Sequence, residues 1–249
     1  MRNLLLAVSA TFILTTSFYR DTREVSADNT IENPVPLSSE SENSPVLNVD
    51  AAAELYKTIN FGSGNKMNEE VFGKAFQGYS NLMKAGKLDN GAGILTVCDF
   101  SLSSTKKRLW VIDMNSKKVL FNELVAHGKN TGEEFATKFS NTESSLQSSM
   151  GFYITESTYN GSNGYSLKLI GMDKGYNDNA YKRAIVMHGA DYISEEFIKA
   201  QNRIGRSWGC PAVARELAEP IINTIKGQNV LFIYYPDQTY LESSEWLKA

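Results

Sequence analysis

Two periodicities divide the chain. Val71, Phe72, Ala75, Phe76, Tyr79, Leu82 and Met83 recur at helical spacing behind Asn68, a side chain suited to capping a helix N-terminus, and ahead of Gly86, a residue that ends one. A shorter helix carrying Leu55 and Ile59 is expected before it, capped by Asp50. This aromatic stripe reads as a packing face, not as a cofactor site. From residue 94 onward the period becomes alternating or continuously apolar, which predicts strands at 94–100, 108–114, 118–127, 152–157, 166–171, 184–187 and 229–235. Asn115-Ser116 and the run from Gly161 to Gly164 supply turns between them. Many short strands with few helices among them predict a mainly β fold, a barrel or sandwich with peripheral helices, preceded by a helical extension at 49–90 and occupying 91–249.

The first 48 residues follow neither pattern. Residues 1–19 place Arg2 before an apolar run from Leu4 to Leu14 and then small polar residues, the layout of a secretory signal. Cleavage is expected after Ser17 or after Ala27, and an uncleaved anchor is the alternative, the one case in which a membrane is a partner. The apolar run is shorter than the roughly 20 residues a spanning helix needs. Residues 20–48, with Pro34, Pro36 and Pro45 among Ser, Asn and Glu, carry too little apolar surface to order themselves and read as a flexible tether. Export to the periplasm or cell envelope is the localisation this implies.

Composition removes several function classes. A net charge of −3 without a Lys/Arg run argues against nucleic acid, whose phosphates demand positive charge. His127 and His188 lack metal-ligand spacing, the two cysteines form no paired zinc motif, and the glycine pattern of a phosphate loop is absent. No metal and no nucleotide cofactor are expected. Cys98 lies within an apolar strand and reads as a buried free thiol; joining it to Cys210 in a disulfide would consume the other thiol.

That other thiol carries the candidate chemistry. His188 follows the apolar run 184–187, so it is expected where a strand ends and a loop begins. Cys210 precedes Pro211 and a helically spaced set, Val213, Leu217, Ala218, Ile221 and Ile222, which predicts that the thiol lies at a helix N-terminus. There the helix dipole and an imidazolium would favour a thiolate nucleophile with a depressed pKa. Ser207-Trp208-Gly209-Cys210 places a small residue beside the thiol, which lets backbone N–H groups approach a substrate carbonyl and form an oxyanion site. His127, in a polar loop with Asn130, Thr131 and Gly132, is the alternative base or a substrate contact, and otherwise makes a structural hydrogen bond.

His188-Gly189 followed by Ser207, Gly209 and Cys210 resembles the signature of the murein L,D-transpeptidase catalytic domain family, YkuD-like, in its divergent branch. The resemblance runs from about Leu95 to Pro236 and includes RLWVID, LVAHGKNTG, SSMGFY and IYYPD. It implies a β fold, Cys210 as nucleophile, His188 as base oriented by the backbone of Gly189, the N–H groups of Gly209 and Cys210 as oxyanion donors, and a peptidoglycan stem peptide as substrate. Cys210 would be acylated with loss of a terminal D-Ala and deacylated by an amine. Water in place of the amine gives an L,D-carboxypeptidase, and loss of turnover gives a non-catalytic peptidoglycan-binding module. The resemblance also places Ser149, in the SSMGFY turn, beside the active site. The spacing from His188 to Cys210, 210 − 188 = 22 positions, is longer than the family's and implies an inserted helical segment starting at Ser194 and stopping at Gly205. The arginine usual two positions after the cysteine is Ala212 here. Arg203, Arg206 and Arg215 are the candidates to replace it as a carboxylate clamp, solvated surface positions being the other reading of each.

Overall fold

The computed structural model describes residues 45–248. Eight strands form one sheet: β1 (Ile94–Asp99), β2 (Leu109–Asp113), β3 (Lys118–Glu123), β4 (Gly151–Gly161), β5 (Gly164–Gly171), β6 (Val186–Ala190), β7 (Ala212–Ala214) and β8 (Val230–Tyr234). Their order is β3-β2-β1-β8-β4-β5-β6-β7, with β1–β8 and β6–β7 parallel and the other neighbours antiparallel. Just past β3, Ala126 bonds Ala212 of β7 and Gly128 bridges Ser207, so the two ends of the sheet approach each other in a nearly closed barrel. The fold is mainly β with peripheral helices, as the strand pattern predicts.

Most central strands are apolar throughout because the sheet is buried on both faces. Inside the barrel, Cys98, Leu109, Val111, Tyr153, Leu231 and Ile233 pack with Ile221, Ile222 and Ile225 of helix α4 (Arg215–Ile225). Outside it, Leu95, Val97, Trp110, Phe152 and Phe232 are covered by helix α2 (Glu69–Lys84) and by Tyr240 and Trp246 near the C-terminus. A β carbon on Gly78 would lie 2.0 Å from the Phe152 ring, so the glycine in the α2 stripe lets the helix sit directly on a ring stacked 4.0 Å from that of Phe232.

Asn68 caps α2 by accepting from the N–H groups of Glu70 and Val71, and Gly86 follows its end at φ +64°. Met83, expected on the packing face, is 48% exposed. Helix α1 (Pro45–Thr58) begins earlier than the expected cap at Asp50, with Pro45, a residue favoured in a first turn, at its start. The tether reading therefore fails for 45–48, while the rest of it and the leader lie outside the described residues. Among the described residues no helix is long and apolar enough to cross a membrane.

Candidate active site

His188 sits in the middle of β6, not at a strand end, and its neighbour across the ladder is Ala212 of β7. Cys210 enters β7 two residues earlier. The expectation that Cys210 opens a helix is corrected: Ala212, Val213 and Ala214 are buried and extend the sheet beside β6, and α4 starts only at Arg215. Ladder bonds to β6 outweigh the helical preference of Pro211, and the helix dipole is too distant to act on the thiol.

The Ser207–Cys210 turn is held from within and from two loops. The Ser207 hydroxyl donates to Cys210 O at 2.6 Å and accepts from Gly209 N at 3.1 Å. Gly209 N–H is therefore already committed, a correction to its expected oxyanion role; Cys210 N–H has no partner among the described residues. Gly209 has φ +123°, and a β carbon there would lie 2.8 Å from Gln147 O, so only glycine fits. Ser148 Oγ donates to Gly209 O and accepts from Gly128 N, while Ser207 N–H donates to His127 O. The two loops thus clamp the turn through backbone.

The two histidines are fixed in opposite tautomers. His188 Nδ1 lies 3.0 Å from Gly189 O, an atom that only accepts, so Nδ1 carries the proton and Nε2 keeps a lone pair, with no hydrogen-bond partner among the described residues. Gly189 is a glycine for another reason as well: a β carbon would meet Ala218 at 2.9 Å and the Arg215 backbone at 3.0 Å, where α4 packs on β6. His127 Nδ1 accepts from Arg108 Nη2 at 2.8 Å, and Nε2–H donates to Gly132 O at 3.3 Å. Arg108 is buried over the Phe100 ring and also bonds Val125 O and Leu102 O. Burial, then the Arg108 charge, pulls His127 down to about 4. Both of its ring nitrogens are used, so of the readings of His127 the structural hydrogen bond is the one the structure shows, not the base or the substrate contact; the side chain anchors its loop.

Cys210 is partly buried, and its Sγ donates weakly to Ala184 O at 3.8 Å. Burial pushes the thiol pKa up, while the Val186 backbone amide and the Arg183 guanidinium draw it down. His188 is held below its usual value by burial and by the Arg215 charge, against the Gly189 hydrogen bond. Burial thus works against the charged form of both groups, where a thiolate–imidazolium pair was expected. Cys98 is buried and free, its thiol pushed up to about 12 by burial.

Arg183 was missed by the sequence analysis, which sought a cation only on the cysteine side of the motif. It lies five positions before His188 and ties together the loop that covers the nucleophile turn: Nη1 bonds Ser140 O (2.6 Å) and Ser149 Oγ (2.9 Å), and Nη2 bonds Gln147 O (2.6 Å) and Ser145 Oγ (3.2 Å). Ser149 is buried with its hydroxyl on Arg183, which removes it as a substrate contact. Arg203 and Arg206 both pair with Glu133, at 3.1 and 2.6 Å, and Arg206 also bonds Lys129 O and Gly132 O. Arg215 pairs with both carboxylate oxygens of Asp191. None of the three is a free clamp. Among the described residues no group of three or more His, Cys, Asp or Glu side chains is placed to hold a metal.

Fold and site define a β protein with a thiol in the turn that leads into β7, next to the strand whose histidine keeps one ring nitrogen free. The chain belongs to the YkuD_2 family, the L,D-transpeptidase catalytic domain, whose profile matches residues 63–234. No curated protein matches the chain. Among solved structures it is similar to an L,D-transpeptidase from Mycobacterium smegmatis, at 13% identity over 58% of this chain and 60% of that one, TM-score 0.36. The helical cell shape determining protein Pgp2 of Campylobacter jejuni matches at 14% identity over 66% and 56%, TM-score 0.38. An L,D-transpeptidase from Stackebrandtia nassauensis matches at 14% over 76% and 90%, TM-score 0.35. The chain spans 59% and 60% of the length of the first two solved structures it matches.

Proposed function

We propose that the chain is an exported, cysteine-dependent L,D-transpeptidase acting on peptidoglycan stem peptides. Family membership supports the reaction class. The observation that carries the residue roles is the pair of opposite tautomers: His188 Nε2 holds the one histidine lone pair left uncommitted, on the strand paired with the one that Cys210 enters.

In this reading His188 Nε2 takes the Cys210 proton as Sγ attacks the carbonyl before a terminal D-Ala. The carbonyl oxygen becomes an oxyanion that Cys210 N–H is free to meet. As the intermediate collapses, the C–N bond breaks and D-Ala leaves with the proton returned by His188. An amine of a second stem peptide then attacks the thioester, gives a proton to His188 and releases the Cys210 sulfur, which is reprotonated. The leader-like residues 1–19 support export.

The test is mass spectrometry of stem-peptide fragments after incubation with the protein and with Cys210→Ala. Cross-linked products lacking one D-Ala are expected from the first and not from the second. Trimmed products alone would assign a carboxypeptidase, and identical spectra from the two proteins would end the enzyme reading.

A further inference from the structure

The outer face of the sheet beside His188 carries residues the mechanism does not use. β5 pairs with β6 so that Ser166 opposes His188 and Lys168 opposes Val186, and β4 places Tyr159 opposite Ser166. Directly opposed residues project to one face of a sheet, so Tyr159, Lys168 and Val186 share the face of His188. There a pocket of about 230 Å³ opens, lined by Tyr159, Lys168, Tyr181, Ala184, Ile185 and Val186. Ala184 is also the residue whose carbonyl meets Cys210 Sγ, so the pocket wall and the nucleophile share a residue. The Tyr181 ring, in a side chain 57% exposed, lies 5.9 Å below the Lys168 ammonium.

Lys168 is the charge that stands out in this otherwise apolar pocket. It is half-buried, and among the described residues no carboxylate pairs with it. Several neighbouring cations are committed: Arg183 to its covering loop, Arg203 and Arg206 to Glu133, Arg215 to Asp191 and Lys182 to Glu143. An ammonium half withdrawn from water without a counter-ion loses hydration that an anionic ligand would replace.

We propose that this pocket is the subsite for a carboxylate of the peptide substrate, the free carboxylate of the terminal D-Ala, held by Lys168 between the walls of Tyr159 and Tyr181. The proposal rests on the reading of Cys210 as the residue that attacks the carbonyl carbon three bonds from that carboxylate's carbon. It places the anion-holding cation on β5, where the family resemblance would look two residues past the cysteine and finds Ala212.

The test is binding, with turnover removed. In Cys210→Ala, calorimetry with a stem tetrapeptide ending in D-Ala carboxylate and with the same peptide ending in carboxamide should show about tenfold tighter binding of the carboxylate form, weakened by salt. Adding Lys168→Ala should erase that preference, and Lys168→Arg should keep it. A preference that persists in Lys168→Ala, equal binding of the two peptides, or binding of neither overturns the subsite. Turnover by the protein with its cysteine intact reads the proposed function separately. Lys168-dependent, carboxylate-selective binding without turnover sinks the transferase reading and keeps the subsite, whereas turnover with selectivity indifferent to Lys168 does the reverse.

Discussion

At the scale of single residues, the site depends on which groups have spare hydrogen-bonding capacity. Arg108 consumes the His127 lone pair and Gly189 O fixes the His188 tautomer, so two residues of one type acquire opposite chemistry. Burial also disfavours charge on both Cys210 and His188. Without substrate, alkylation of Cys210 is therefore expected to rise with pH as a single thiol titration above the ordinary cysteine value, with no reactive plateau at low pH. His127→Ala should leave that profile in place. Arg183→Gln should move it to higher pH, because the lost positive charge had favoured the thiolate, and Arg183→Lys should restore it. A low-pH plateau that disappears in His188→Ala would reinstate the ion pair and refute the neutral one. The sequence made His188 and Cys210 legible because Gly189, Ser207 and Gly209 surround them with backbone that must approach closely. Arg183 was not legible: it precedes an apolar strand in no motif, and its importance arises only when the chain brings residues 140–149 over it.

Among elements, β7 is the instructive case. Val213 fits the helical spacing of Leu217, Ala218, Ile221 and Ile222, but Ala212–Ala214 had an unpaired edge of β6 to bond, a tertiary opportunity that local periodicity cannot register. The seven other strands were readable to within a few residues, the central ones from apolar runs buried on both faces and β3 and β5 from alternation. The insertion between β6 and β7 forms helix α3 (Glu195–Gln201), capped by Ser194 as its sequence implies. It stops at Asn202, in a left-handed conformation with φ 56°, before the expected Gly205. No α3 residue is fully buried, and the segment is tied down through Arg203 and Arg206 to Glu133. Glu133 is exposed, so solvent screens these pairs and they add little to global stability. Glu133→Ala should thus leave global stability almost unchanged while speeding hydrogen exchange across 195–206. Exchange in that segment as slow as in the parent protein would show that Tyr192, Ile193 and Ile204 hold it without the ion pairs.

Across the whole molecule, the outer core layer is closed by a C-terminal segment whose buried anchor is Asp173. Its carboxylate accepts from Phe152 N at 2.7 Å, from Tyr240 OH at 3.2 Å and from the Ser244 hydroxyl. Trp246 Nε1 bonds Met172 O, and Gln77 and Asn81 of α2 bond the carbonyls of Leu247 and Trp246, so strand, helix and C-terminus meet at this point. Burial outweighs those hydrogen bonds and pushes Asp173 up from 3.8 to about 6. The sign follows by linkage: between those two values the folded protein binds a proton that the unfolded chain has released, so this group's contribution to stability falls as pH rises through the window and is constant above it. The full swing is about 2–3 kcal/mol. Asp173→Asn removes the titration and keeps an oxygen to accept from Phe152 N–H. Urea unfolding of both proteins from pH 4 to pH 7.5 isolates the term, because other groups cancel in the difference. The stability of Asp173→Asn relative to the parent should climb with pH up to about 6 and then level. A difference that stays constant across the window would mean that Asp173 ionises as readily in the folded protein as in the unfolded chain, and that its three donors offset the cost of its burial.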